Sequence, residues 1–385
     1  MKRTILCGLI QVLRWGLQGV YGLMKLFPVR DRVCFFSRQS DKLTPDFQLL
    51  QQELQRVAPQ TETVTICHRF RNGGDGAIRF AWDQLRSMYY LATSRFCVLD
   101  AYWPVVSLLK HRPSLKVIQI WHSVGKIKRS GYQTLDMASG RNGKLARALR
   151  MHRGYDYIIS GGTAWEPYYC EAFDTTPDKL RHYGLPRLDW LLTQDGQRRL
   201  LEEKYPELKG KTIVLYAPTY RTYPIAPHKE LTALFAGGQY ALICRFHPNQ
   251  RFDEELPAEL HRYDEEDIFA LMSACDYLIT DYSSLALEGA VLDKKTLYYL
   301  FDHDRYLEEN GLNIDPAAEM PGCSFESAAG LFALIDSGRY PMGELRRYQE
   351  KFLPEELGSS TRNIVSLITG AARTEASKEK EKELV

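Results

Sequence analysis

Along the chain, short runs of β-branched and aromatic residues alternate with longer stretches of helical periodicity. The short runs predict strands at Val33–Ser37, Thr63–Cys67, Phe96–Leu99, Val117–Trp121 and Tyr157–Ser160. After a break they resume at Ile213–Ala217, Ala241–Arg245, Tyr277–Thr280 and Thr296–Leu300. Helical patterns fall between them at Pro45–Val57, Ala81–Ala92, Gly143–Arg150, Asp189–Lys204, Asp267–Ala274 and Leu285–Leu292. Such alternation predicts an α/β protein whose parallel sheets are covered on both faces. The break is the polar stretch Lys204–Lys211, with Pro206 and Gly210, and it divides the chain into halves of similar size. One echo links the halves: Asp156 to Ser160 reads Asp-Tyr-Ile-Ile-Ser, and Asp276 to Thr280 reads Asp-Tyr-Leu-Ile-Thr. The expected organisation is a segment 1–30, domains 31–205 and 206–372, and a charged, frayed tail 373–385.

Segment 1–30 stands apart. Residues 1–32 hold Lys2, Arg3, Arg14, Lys25, Arg30 and Arg32 against Asp31 alone. Gln11, Arg14, Gln18 and Lys25 interrupt an apolar run and share one helical stripe. A charge in mid-run argues against a spanning helix, and no small-residue cleavage site marks a signal peptide. Three readings remain: an amphipathic helix in the membrane interface with its basic face toward anionic lipid, an ordinary amphipathic helix packed on its domain, or, against the mid-run charge, a transmembrane anchor.

With 385 residues, 44% apolar and 25% charged, the chain is globular and long enough for about two domains. Lysine plus arginine (50) and aspartate plus glutamate (48) nearly cancel, which disfavours a dedicated nucleic-acid binder. The eight cysteines form no Cys-x-x-Cys pair, so neither a disulfide framework nor a zinc site is expected, and a reducing compartment is. The glycine-rich run Asn72 to Gly76 fits no phosphate fingerprint and reads as a turn. His303, between Asp302 and Asp304, also reads as a turn rather than a metal site.

Four polar clusters begin where predicted strands end, the place where doubly wound α/β folds bind ligands. The first, Trp121 to Lys126, offers His122 as a general base and Lys126 as a phosphate cation. The second, Tyr216 to Arg221, offers the Thr219 hydroxyl and the Arg221 fork. In the third, Arg245 to Asn249, Pro248 holds the preceding residue extended and aims His247 outward. The fourth, Thr280 to Ser284, puts Asp281, Ser283 and Ser284 before a helix, with Glu288 one turn further on. Each has a plainer reading: a hydrogen-bonded structural histidine, a solvated arginine, a helix cap, a solvated glutamate. Together they suit a diphosphate-linked donor and a proton acceptor, with no metal or cofactor called for.

These runs resemble the CDP-glycerol glycerophosphotransferase family of teichoic acid synthesis. The resemblance is carried by Ile120-Trp121-His122-Ser123, Tyr216 to Arg221, Arg245-Phe246-His247-Pro248 and Asp276 to Ser284. Leu292 to Lys295 and Tyr298-Tyr299 follow in the same order. It spans about Arg32 to Arg362 and implies two Rossmann-like domains facing a cleft, the GT-B arrangement. It also implies a peripheral enzyme on the cytoplasmic face of the membrane. That enzyme would move glycerol phosphate, or a related polyol phosphate, from CDP-glycerol or CDP-ribitol to a hydroxyl of a polyprenyl-linked acceptor, releasing CMP. By that resemblance His122 matches the general base and His247 a second essential histidine near the donor diphosphate. Ser283 and Ser284 match phosphate-binding hydroxyls. Arg245 and Arg221 join the expected donor contacts, Ser123 stands where the family commonly has glycine, and Glu288 stands where it usually has aspartate. Two rivals are a GT-B glycosyltransferase using a nucleotide sugar and a membrane-docked binding protein without activity.

Overall fold

A computed structural model describes residues 2–69, 74–137, 140–247, 250, 252, 256 and 260–370. The chain folds into two compact units, each built on one parallel sheet. The described residues of the first fall within Met1–Val124, Ser130–Asp189 and Glu356–Val385; the second comprises Gly125–Arg129 and Trp190–Glu355.

The first sheet has β1 (Arg32–Ser37), β2 (Glu62–Cys67), β3 (Phe96–Leu99), β4 (Lys116–Gln119), β5 (Tyr157–Ile159) and β6 (Leu180–Arg181), in the order β2-β1-β3-β4-β5-β6. All six residues of β1 are buried, as expected of a strand covered on both faces. The second sheet has β7 (Thr212–Tyr216), β8 (Tyr240–Cys244), β9 (Tyr277–Thr280), β10 (Lys295–Tyr299) and β11 (Ser324–Phe325), in the order β11-β10-β9-β7-β8. Every pairing within these two sheets is parallel. The nine expected strands are present within a residue or two. The two that the pattern missed, β6 and β11, are two-residue edge strands with no periodicity to read.

The sequence echo has a structural cause. Each aspartate precedes a strand and reaches sideways to the first free N–H of the neighbouring one. Asp156 accepts from Val117 N at 2.9 Å, and Asp276 accepts from Ile213 N at 2.7 Å. A strand start left unpaired would orphan a buried donor, so both units satisfy it alike.

The unit boundary differs from the expected break at 205/206. Arg198, on the helix Gln197–Lys204, donates to Asp276 at 2.8 Å and to Lys211 O, which ties that helix to the second unit. The chain then returns. Asp189 accepts from Ser360 N (3.0 Å) and Thr361 N (2.7 Å), anchoring the helix Ser360–Thr369 in the first unit. The single helix expected over Asp189–Lys204 is two, Pro186–Leu191 and Gln197–Lys204, parted at Gly196, whose φ of +76° no continuing helix adopts. Gly74 opens the helix α3, described below, rather than lying in a turn, and His303 opens the helix His303–Asn310. Residues 72, 73, 248, 249 and 373–385, on which parts of the expectations fall, lie outside the described residues.

Three helices of the first unit bear on function: α1 (Lys2–Met24), α2 (Pro45–Val57) and α3 (Gly74–Thr93). On α2, Phe47, Leu50 and Leu54 are buried, and the buried Asp46 accepts from Arg187 N and Nε, both at 2.9 Å. On α1 the expected orientation is reversed. Gln18 accepts from Lys110 N at 2.8 Å, Lys25 donates to Lys110 O at 3.0 Å, and the Tyr21 hydroxyl meets His111 Nδ1 at 2.7 Å. The Gln18 and Lys25 end of the polar stripe therefore faces the unit. Leu9, Val12, Leu13, Trp15 (63% exposed) and Leu23 face outward, followed by Leu26 (81% exposed). Beside α1, α3 exposes Ile78 (73%), Trp82 (62%) and Leu85, and Tyr89 meets Phe27 ring to ring at 5.8 Å. Among the described residues no helix is long and apolar enough to cross a membrane.

Candidate active site

In the first unit, β4 ends at Gln119 and the chain turns sharply. Trp121 holds φ +61°, a conformation a bulky side chain adopts only when its surroundings enforce it. Its N–H donates to the Gln119 amide oxygen at 2.9 Å, and its indole packs edge-on against Phe173 at 5.1 Å. His122 follows, with Nδ1 3.0 Å from the backbone carbonyl of Asp100. In the tautomer with Nδ1 protonated the carbonyl accepts from it, and Nε2 keeps the lone pair a general base uses. The Gln39 amide approaches the same nitrogen at 3.1 Å.

Asp100 ends β3, and its carboxylate is the base plate of this turn. It accepts from Arg38 N at 3.2 Å and from the Ser37 hydroxyl at 2.5 Å. Burial pushes its pKa up to about 6 from 3.8, with the Ser37 hydrogen bond acting in the opposite direction. Sequence reasoning did not single out Gln39 or Asp100. The available signal was an aspartate closing the apolar run Phe96–Leu99.

In the second unit the carboxyl ends of β7, β8 and β9 open on a cavity of about 450 Å³. Thr219, Arg245, His247 and Ser283 line it together with Lys128, over an apolar floor that includes Phe246, Ile268 and Leu285. The second, third and fourth clusters of the sequence thus converge here. The Ser283 hydroxyl accepts from Leu285 N at 3.3 Å, whereas Ser284 sits at the helix cap and makes no capping bond with its side chain. Arg245 donates to Tyr263 O at 2.5 Å, and the Tyr220 and His247 rings are 5.2 Å apart. Thr219 donates its backbone N–H to Asp281 at 2.8 Å. Its hydroxyl is buried and finds no hydrogen-bond partner among the described residues.

Four of the expected donor contacts are buried and do not line this cavity. Arg221 is 2% exposed and does not line the cavity. It grips Asp302 with Nε at 2.7 Å and Nη2 at 2.8 Å, reaches Asp281 at 2.9 Å and donates to Thr219 O at 2.8 Å. Its guanidinium lies 4.3 Å from the Tyr306 ring centre. Burial works against its charge, but the two carboxylates more than offset that and raise its pKa. Asp281, fully buried, is the hub. It also accepts from Tyr282 N at 2.6 Å and so fixes the loops that carry Thr219 and Ser283. Lys126 is 2% exposed, with burial driving its pKa well down, and Glu288 is 1% exposed; neither lines the cavity. Asp302, unassigned by sequence, is the second half of the Arg221 clamp, and the Tyr223 hydroxyl donates to it at 2.5 Å. No group of three or more His, Cys, Asp or Glu among the described residues is placed to hold a metal.

The chain is thus an α/β protein of two parallel-sheet units, with His122 at a strand end of one and a cavity lined by hydroxyls and cations at the strand ends of the other. Comparison narrows the class. Residues 22–370 match the family described as CDP-glycerol:poly(glycerophosphate) glycerophosphotransferase, and the chain belongs to that family. A teichoic acid ribitol-phosphate primase of Bacillus spizizenii is 27% identical over 375 residues, covering 91% of this chain and 96% of its own. A teichoic acid glycerol-phosphate primase of the same organism is 25% identical, covering 74% and 76%. A poly(ribitol-phosphate) polymerase from it is 24% identical, and the match covers only 58% of the polymerase. Among solved structures, the wall teichoic acid polymerase TagF shares the fold, with a TM-score of 0.70 at 18% identity over 97% of this chain and 98% of that one. A UDP-GlcNAc 2-epimerase from Neisseria meningitidis does so more distantly, at 0.56 and 13%, covering 88% of this chain and 99% of that one. The protein is a transferase of the CDP-glycerol glycerophosphotransferase type with a GT-B-like fold.

Proposed function

We propose that the protein transfers glycerol phosphate, or a related polyol phosphate, from a CDP-polyol to a hydroxyl of a lipid-linked acceptor in teichoic-acid-type polymer synthesis. The observation that carries the reading is the placement of His122 just past the end of β4, with Nδ1 held against the Asp100 carbonyl, in a chain of this family. The acceptor hydroxyl gives its proton to His122 Nε2 as its oxygen attacks the β-phosphorus. The bond from that phosphorus to the bridging oxygen breaks, and CMP leaves with the bridging oxygen. The cavity of the second unit holds the donor, with His247, Ser283 and Thr219 toward its phosphates and Phe246 supplying apolar surface. Most of the rate then comes from positioning and charge stabilisation rather than covalent chemistry.

A lipid-linked acceptor calls for a membrane contact, and the outward apolar faces of α1 and α3 supply one. The apolar surface seats in the interface, while the Gln18 and Lys25 end of the polar stripe of α1 serves the fold. This reverses the orientation expected from the sequence. The resulting location is peripheral, on the membrane face where CDP-polyols are available. The nucleotide-sugar reading draws only on the epimerase likeness, which is one of fold.

The test is CMP release from CDP-glycerol and CDP-ribitol in parallel, with a lipid-linked acceptor mixture. Release with one donor names the polyol. His122→Ala should lower turnover by about 10²–10⁴-fold while the protein stays folded. Unchanged turnover in that variant removes His122 from the mechanism.

A further inference from the structure

We propose that Lys128 is the cation that grips the diphosphate of the donor nucleotide, the part the sequence suggested for Lys126 and Arg221. The proposal rests on reading the cavity of the second unit as the donor site, and it adds the residue that discriminates a phosphorylated ligand there.

Placement comes first. Although Lys128 follows closely after His122 in sequence, it belongs to the second unit. The stretch Gly125–Arg129 is laid along Gly311–Asn313 as an extra edge. Asn313 N donates to Ile127 O at 2.8 Å. The Asn313 side chain donates to Lys126 O at 2.8 Å and to Lys128 O at 3.3 Å, and Arg129 N donates to Gly311 O at 3.2 Å. Lys128 pairs as an antiparallel bridge with Leu312. The backbone on both sides of Lys128 is therefore pinned. Lys126 is buried in the protein, and Lys128 lines the cavity.

Availability comes second. Arg221 is committed to Asp302, Asp281 and Thr219 O, and Arg245 to Tyr263 O. The Lys128 ammonium makes no hydrogen bond or ion pair among the described residues, although Asp281 lies near enough to favour its charge. Burial is the main influence on it and lowers its pKa, and Arg221 adds to that effect. An anion arriving in the cavity relieves both costs.

Complementarity comes third. Thr219 lines the same cavity with a buried hydroxyl that has no partner among the described residues, so a turn about its Cα–Cβ bond lets one phosphate oxygen accept from it while another accepts from the ammonium. A neutral nucleoside satisfies neither donor in this way.

The experiment is calorimetric titration of the full chain with CDP, cytidine and inorganic pyrophosphate, for wild type, Lys128→Met and Lys128→Arg. Methionine keeps the length and apolar stem and removes only the charge. Lys128→Met should weaken CDP and pyrophosphate by about 10–100-fold and leave cytidine unchanged, with Lys128→Arg recovering part of the loss. It should also raise the KM for CDP-glycerol more than it lowers kcat. Equal CDP binding by wild type and Lys128→Met overturns the assignment, as does a parallel loss of cytidine binding. So does failure of the wild-type chain to bind either phosphate compound. If CDP and pyrophosphate binding depend on Lys128 but no CDP-polyol is turned over, Lys128 remains the diphosphate-gripping cation of the cavity and the CDP-polyol transfer reading falls.

Discussion

Replacing Arg221 by methionine separates a structural clamp from a substrate contact. The substitution keeps the buried apolar volume but leaves Asp281 and Asp302 facing each other without their shared cation. Three direct carboxylate contacts are lost, at 2.7, 2.8 and 2.9 Å, around a side chain that is 1% exposed. Breaking a buried pair by removing one partner costs about 3–5 kcal/mol, because the abandoned charge stays desolvated. For a domain of this size each kcal/mol shifts the midpoint by roughly 2–4 °C, so the second unit should melt about 10 °C lower. Thermal unfolding by near-ultraviolet circular dichroism reads this directly. Adding Asp302→Asn should recover part of the loss, since it removes one stranded charge, and the double-mutant cycle gives the coupling. An Arg221→Met protein that melts like wild type yet fails to bind CDP would refute the reasoning and return Arg221 to the ligand.

Two further perturbations test other parts of the structure. Asp100 holds its proton more tightly folded than unfolded, so between pH 3.8 and about 6 its contribution to stability falls as pH rises. The cost is complete above pH 6 and amounts to about 3 kcal/mol at 1.4 kcal/mol per tenfold; Asp100→Asn should flatten the difference in denaturant midpoint between pH 4.5 and 7, and an unchanged slope would contradict the burial argument. Leu9→Glu with Trp15→Glu, both on the outward face of α1, should shift stability by no more than about 0.5 kcal/mol each. The same pair should abolish co-sedimentation with vesicles containing anionic lipid, and retained binding would take the membrane contact away from α1.

Much of the fold is legible in the sequence because parallel strands buried on both faces leave unbroken apolar runs, as β1 and β9 do. Edge strands such as β6 and β11 leave no such trace. The clusters around His122, Thr219, His247 and Ser283 were legible because strand ends in an α/β protein are where polar runs lack a packing reason. Which member of each cluster faces the ligand was not. Lys126 and Lys128 are chemically alike, and nothing in their local sequence marks Lys126 as the buried one and Lys128 as the one that lines the cavity. Arg221 looked like a phosphate fork because its two aspartates are 60 and 81 residues away in sequence. Helical periodicity groups Gln11, Arg14, Gln18 and Lys25 on one stripe of α1. Periodicity states which residues share a face and leaves open whether that face points to solvent or, as with Gln18 and Lys110, to unpaired backbone groups of the unit.

The chain passes between its units at 124/125, 129/130, 189/190 and 355/356. That route governs how the protein can be cut or recombined. A fragment covering 190–355 would contain all of the second sheet, yet it would lose the edge laid on Gly311–Asn313 and with it one wall of the cavity. A chimera that exchanges donor preference with a relative must therefore carry Gly125–Arg129 across with the second unit, although those five residues are encoded within the first. Selection for a new donor would register in two separated stretches of the gene, and a change in one would be read through the other.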